Sequence, residues 1–85
     1  MNNLKNKNSF ISGATGGLGK SFVQTLAKQG SNLFLTATDE KKLSNLAKKV
    51  KSLNDDIEVF YQVADLKRET DIEIVSISAL EKFET

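Results

Sequence analysis

Four glycines fall within seven positions: Gly13, Gly16, Gly17 and Gly19. They stand where a short apolar run, Ser9-Phe10-Ile11-Ser12, gives way to a helical pattern. Glycine tolerates positive φ and lets other atoms approach the backbone closely. A helix that starts at such a turn aims unpaired N–H groups and the positive end of its dipole outward, which suits a phosphate. Lys20 and Ser21 follow at once, and a lysine and a hydroxyl at that place could serve a triphosphate and its magnesium ion. Further on, Thr36, Thr38 and Asp39 close a second apolar run, and Asp65 closes a third. The chemistry on offer is therefore nucleotide binding by a strand, a turn and a helix, with polar groups at the ends of two further strands.

Composition narrows the field. Eighty-five residues make at most one small domain, which buries a modest share of its surface. Apolar residues are 39% and charged residues 27%, a globular balance. A net charge of +1 gives no electrostatic case for nucleic acid or an anionic membrane. With no cysteine, disulfides and thiolate metal sites are excluded; with no histidine, the commonest general base is absent. Met1–Asn8 is polar, unlike a secretory signal, and no apolar run approaches spanning length. A cytoplasmic location is expected by elimination.

The elements that must position these residues follow from periodicity. Asn8–Ala14 reads as a strand, with Phe10 and Ile11 adjacent as in a strand covered on both faces. Leu18–Gln29 reads as a helix: Leu18, Phe22 and Leu26 repeat at four-residue spacing and are expected in the core, with Val23 and Ala27 beside them. Gly30 is its stop. Asn32–Thr38 is a second buried strand. Asp39 caps a helix over Lys42–Leu53, with Leu43, Leu46, Val50 and Leu53 on one face. Asn54-Asp55-Asp56 turns the chain into a third strand, Ile57–Val63, whose alternation suits a sheet edge. Tyr61 is expected to pack there. Asp65–Phe83 begins as a third helix, with Leu66 on its inner side. The order β-α-β-α-β-α predicts an α/β fold with a parallel sheet, and right-handed crossovers predict strand order 3-2-1.

Two families share the glycine stretch. Ala14-x-x-x-x-Gly19-Lys20-Ser21 resembles a relaxed mononucleotide P-loop, with alanine for the first glycine. Ser12-Gly13-x-x-x-Gly17-x-Gly19 resembles the cofactor signature of the short-chain dehydrogenase/reductase family, with serine for the usual threonine. Downstream landmarks favour the second. The first helix is short and stops at Gly30. Leu35-Thr36-Ala37-Thr38-Asp39-Glu40-Lys41-Lys42-Leu43 resembles the second strand and helix of that family, above all of its bacterial 3-oxoacyl-acyl-carrier-protein reductases. Val63-Ala64-Asp65-Leu66 resembles the acidic residue after its third strand. Lys20 and Ser21 then become surface positions.

The resemblance implies the first half of a doubly wound Rossmann sheet binding an adenine dinucleotide. Ser12, Gly13, Thr15, Gly16, Gly17, Leu18 and Gly19 would supply the turn. Thr38 would face the adenosine ribose, and Asp65 and Leu66 would meet the adenine. Dinucleotide folds commonly place an acid at the end of strand two for the ribose 2′-hydroxyl; here that position is Ala37. The balance leans to NADP over NAD, although Gly16 and Thr38 stand where NADP-preferring members often carry a base. The parent is expected to be a homo-oligomer acting on a carbonyl/alcohol pair.

The same resemblance implies what these residues do not hold. The family reacts through a tyrosine, a lysine four residues later, a serine and an asparagine. Here Tyr61 is followed at four residues by Asp65. Residues 1–85 read as a partial domain that stops before strand four, not catalytic alone. Strand one would then present Phe10 and Ile11 at an open edge. The resemblance runs from about Lys7 to Glu73, and Ser76–Thr85 reads as a diverged tail. Three alternatives stay open: a nucleotide-binding piece completed by another chain, a gene remnant, and a P-loop ATPase fragment.

Overall fold

A computed structural model describes residues 4–83. Residues 1–3, which open the polar Met1–Asn8 segment, and residues 84–85, which end the tail, lie outside the described residues. The elements are β1 (Asn8–Ile11), α1 (Gly17–Lys28), β2 (Asn32–Ala37), α2 (Glu40–Leu53), β3 (Val59–Val63) and α3 (Glu69–Phe83). All three strands are parallel, with β2 in the centre. This is the predicted 3-2-1 order, the N-terminal Rossmann-type half of a doubly wound sheet. No helix among the described residues is long and apolar enough to cross a membrane.

Strand β2 is central because its side chains are apolar on both faces. Leu33, Phe34, Leu35, Thr36 and Ala37 are all buried. Leu33, Leu35 and Ala37 meet Val23 and Ala27 of α1 and Leu43, Leu46 and Val50 of α2. Phe34 points the other way, towards Val75, Ala79 and Phe83 of α3. Helices therefore cover both faces, as the continuous apolar run of β2 requires. Asp39 caps α2 as expected, its Oδ1 accepting the Lys42 N–H at 3.0 Å. At the far end of α2, Lys51 donates to the carbonyls of Asp55 and Ile57 and holds the turn into β3.

Three expectations need correction. Leu18 and Phe22 are not core: they are 74% and 57% exposed, and Leu26 is half-buried. The stripe that faces the sheet is Gly19, Val23 and Ala27, one residue further round the helix. Small side chains win there because α1 lies against the glycine turn at van der Waals distance, and a leucine stripe would hold it away. Tyr61 does not pack inside; it is 44% exposed at the β3 edge. The third helix starts at Glu69, not Asp65. Asp65 instead builds a turn: its Oδ1 accepts the Lys67 N–H at 3.0 Å, and its carbonyl accepts the Arg68 N–H at 2.9 Å. Strand β1 does form an edge, and Phe10 there is 48% exposed while stacking on Phe34 at 5.7 Å.

Candidate functional site

The glycine turn joins the end of β1 to the start of α1. Gly13 takes φ 62°, in the left-handed region. Ala14 N–H donates to the Thr36 carbonyl at 3.0 Å, which ties the turn to β2. Gly16 is the N-cap of α1, in extended conformation, with no side chain capping the helix. The first turn of α1 holds no acidic residue. Its leading N–H groups and its dipole are thus left for an outside partner.

The glycines divide by cause. A Cβ on Gly19 would lie 2.3 Å from the Gly13 carbonyl oxygen and 3.2 Å from Ala14 backbone atoms. The packing of helix on turn therefore demands glycine there. A Cβ on Gly17 would meet nothing within 4 Å. Nothing in the fold requires glycine at Gly17, which opens the helix with bare backbone facing free space. That is the local form a closely approaching phosphate needs.

Beside the turn lies a cavity of about 400 Å³ at the C-terminal ends of the strands. Ser12, Gly13 and Thr15 line it from β1 and the turn, Thr36, Ala37 and Thr38 from β2, and Ala64, Asp65, Leu66 and Lys67 from the loop after β3. The structure thus brings together Ser12, Gly13, Thr15, Thr38, Asp65 and Leu66, six of the residues singled out in the sequence. Gly16, Gly17 and Gly19 adjoin it at the head of α1. Leu18 stands apart, in a shallow apolar depression with Ser21, Phe22 and Thr25. Asp65 is half-buried, and its backbone N–H donates to the Asp71 carboxylate at 2.8 Å. Its Oδ1 is engaged by Lys67, while the loop sets its carboxyl group at the cavity wall. Lys67 was not singled out in the sequence, although its place two residues after Asp65 in a tight turn could have marked it. Thr36 is 1% exposed, and its Oγ1 has no hydrogen-bond partner.

Other places offer less. A larger apolar groove of about 630 Å³ lies against α2 and the start of β3, with Lys48, Lys51 and Glu58 in its walls. It sits at the N-terminal end of the sheet, whereas open α/β sheets bind ligands beyond the C-terminal ends of their strands. No group of three potential metal ligands occurs among the described residues. Lys20 and Ser21 are exposed. The Ser21 hydroxyl donates to the Gly17 carbonyl at 3.4 Å, and Lys20 lines a groove between α1 and α2.

Comparison with known proteins supplies the family. Residues 7–85 match the model of the short chain dehydrogenase family, nearly the whole chain. This protein belongs to the short-chain dehydrogenases. An oxidoreductase of Staphylococcus saprophyticus is 31% identical over 83 residues, which make up 98% of this chain and 35% of the relative. A 3-oxoacyl-[acyl-carrier-protein] reductase of Rickettsia conorii is 42% identical over 51 residues, 60% of this chain and 21% of the relative. The chain therefore spans about a fifth to a third of these dehydrogenase relatives. A short-chain dehydrogenase/reductase from Burkholderia phymatum in complex with NAD superposes with a TM-score of 0.88 at 26% identity, over 100% of this chain and 30% of that one. An alcohol dehydrogenase from Thermococcus sibiricus complexed with 5-hydroxy-NADP gives 0.84 at 31% identity, over 91% and 32%. The family match also corrects the reading of the tail. It continues through Ser76–Thr85, where α3 runs unbroken to Phe83.

Proposed function

We propose that residues 1–85 form a partial Rossmann domain that holds the adenosine and pyrophosphate half of a nicotinamide dinucleotide, within a short-chain oxidoreductase of the carbonyl/alcohol class. One observation carries the reading. Gly17 is a glycine the fold does not need, at the uncapped head of α1, beside the cavity at the strand ends. The residues present fit the group. Gly16–Gly19 would hold the pyrophosphate on backbone N–H groups. Thr38 would face the ribose, and Asp65 and Leu66 the adenine. Ser12 and Thr15 would close the turn side. When bound, the dinucleotide's nicotinamide would supply or accept the hydride.

Likeness to the Rickettsia conorii reductase supports a 3-oxoacyl thioester as the substrate class. The chain's own residues supply binding and orientation only. Its single tyrosine, Tyr61, is a half-exposed edge residue, and Asp65, four positions on, belongs to the cavity wall.

Calorimetric titration of the 85-residue chain with NAD and with NADP tests the reading. Weak binding is expected, lost in Gly17→Val while the circular dichroism spectrum is kept. Binding that survives Gly17→Val undiminished overturns the assignment of the turn, and measurable reductase turnover overturns the view that this chain only binds.

A further inference from the structure

Strand β3 is an outer strand of the sheet, and beyond it stands no further strand among the described residues. Its backbone groups alternate between β2 and the outside. The Glu58 carbonyl accepts the Leu33 N–H, and the Ala64 N–H donates to the Ala37 carbonyl, so the even-numbered residues of this segment bond to β2. Val59, Tyr61 and Val63 therefore turn their N–H and C=O groups outward. Natural edges are commonly blunted by a lysine, a proline or a bulge within the strand. Val59-Phe60-Tyr61-Gln62-Val63 has none of these: it is uncharged, and its register with β2 is unbroken. Tyr61 and Val63 are 44% and 36% exposed.

The charges stand beside this strand instead of on it. The groove of about 630 Å³ where α2 packs on β3 is lined by the apolar Ala47, Val59 and Phe60 and by Lys48 and Lys51 of α2. Lys51 is held in place by the carbonyls of Asp55 and Ile57. From the other face of the sheet, Lys82 of α3 stands 5.4 Å above the Phe60 ring. The one acid in the groove lining is Glu58, which is exposed. Three ammonium groups against one carboxylate thus frame the start of an open edge. That excess of charge selects the occupant. A second copy pairing edge to edge would bring its own Lys48, Lys51 and Lys82 towards these three, and like charges repel. An extended segment that carries carboxylates meets the opposite sign. A small anion would use neither the apolar lining nor the free backbone groups.

We propose that the β3 edge takes an acidic, extended segment of a partner protein as an added strand, with apolar side chains in the α2 groove and carboxylates on Lys48 and Lys82. Main-chain bonds to Val59, Tyr61 and Val63 supply the pairing, while the groove and the lysines supply the choice of sequence. Lysine acts here as a point charge, without the fixed fork of arginine. The groove lies at the start of β3 and the dinucleotide cavity beyond the other end of the strands, so neither reading depends on the other.

The probe is a short fluorescein-labelled peptide of alternating glutamate and valine, titrated into the full 85-residue chain at low ionic strength and read by anisotropy. Its counterpart with lysine for every glutamate, and a fully N-methylated form that cannot donate to a ladder, are the controls. The glutamate peptide is expected to bind at least about tenfold tighter than either. Lys48→Glu should weaken it by about tenfold, since an attraction is lost and a repulsion of similar size gained. Lys48 is exposed, so this change leaves packing undisturbed and the thermal transition in place. Tyr61→Pro removes an outward N–H, which an edge strand tolerates, and should also abolish binding. No binding of the glutamate peptide overturns the proposal. So does equal binding of the glutamate and lysine peptides, full binding of the N-methylated form, or an affinity that Lys48→Glu does not move. A chain that is dimeric by sedimentation and becomes monomeric in Tyr61→Lys would make a second copy the occupant and overturn it as well.

Discussion

The two faces of β2 are buried to the same depth but closed by different means. On one, Leu33 and Leu35 meet two helices, and Val23, Leu43 and Val50 are buried completely. On the other, one helix covers Phe34, and only Ala64 and Val75 join it as buried partners. The remainder of that face is aromatic and half-open: Phe10 stacks on Phe34, and Phe83 meets Phe34 and Phe60 edge-on at 6.2 and 5.9 Å. The first face is a finished layer. The second is a layer whose covering helix, α3, is itself apolar outside, with Ile74, Ile77 and Leu80 each more than half exposed. Stability should therefore concentrate on the α1/α2 face, and that is also the face whose helix packing shapes the glycine turn.

The most damaging change should be at the joint between that face and the site. Gly19→Ala places a methyl group 2.3 Å from the Gly13 carbonyl oxygen, against backbone that cannot yield. The helix must move off the turn, and a domain of this size has only about 5 kcal/mol in hand. Loss of the cooperative thermal transition is the expected result. Gly17→Ala, two residues earlier, should leave the transition intact, because its Cβ meets open space. A Gly19→Ala protein that melts like the parent would show that α1 does not rest on the turn.

Core truncations compare the faces directly. Leu43 is 0% exposed between α2 and the sheet, and Leu43→Ala should cost about 3 kcal/mol. Val75→Ala, under α3, should cost about 1.5 kcal/mol, from two lost carbon groups at ~0.8 kcal/mol each in a layer able to relax. Urea unfolding measures both. Equal costs per lost carbon, three at Leu43 and two at Val75, would mean that the α3 face is as tightly closed as the other. A smaller effect belongs to the cap: Asp39→Ala removes the bond to the Lys42 N–H and should cost about 1 kcal/mol, while Asp39→Asn should be near neutral.

The contrast also explains what could be read from sequence. Strand and helix order follow from periodicity, and the parallel 3-2-1 sheet follows from alternation and handedness, so these were legible. Gly13 and Gly19 were legible too, since backbone needs are local. The facing stripe of α1 was not. Leu18, Phe22 and Leu26 form the stronger apolar pattern, and only the close approach at Gly19 turns Val23 and Ala27 inward. The start of α3 was misplaced because Asp65 can cap a helix or an Asx turn, and the choice depends on Asp71 reaching back to its N–H. The groove between α1 and α2 is invisible in one dimension, because Lys20 and Lys42 line it together only when α1 packs on α2.

The mildest change sharpens the comparison most. Ile74, Ile77 and Leu80 recur every three residues along the outer side of α3, at 53%, 58% and 56% exposure. An apolar ridge in water gives little stability to the chain that carries it and favours association. Ile77→Lys puts a good helix former four residues after Glu73, where an i,i+4 pair is favourable. Stability should change by less than ~0.5 kcal/mol, while sedimentation shows less self-association. A loss on the scale of Leu43→Ala would mean that the ridge is already buried in the protein as it exists. The two faces would then be equally closed, and the outer side of α3 would count as core.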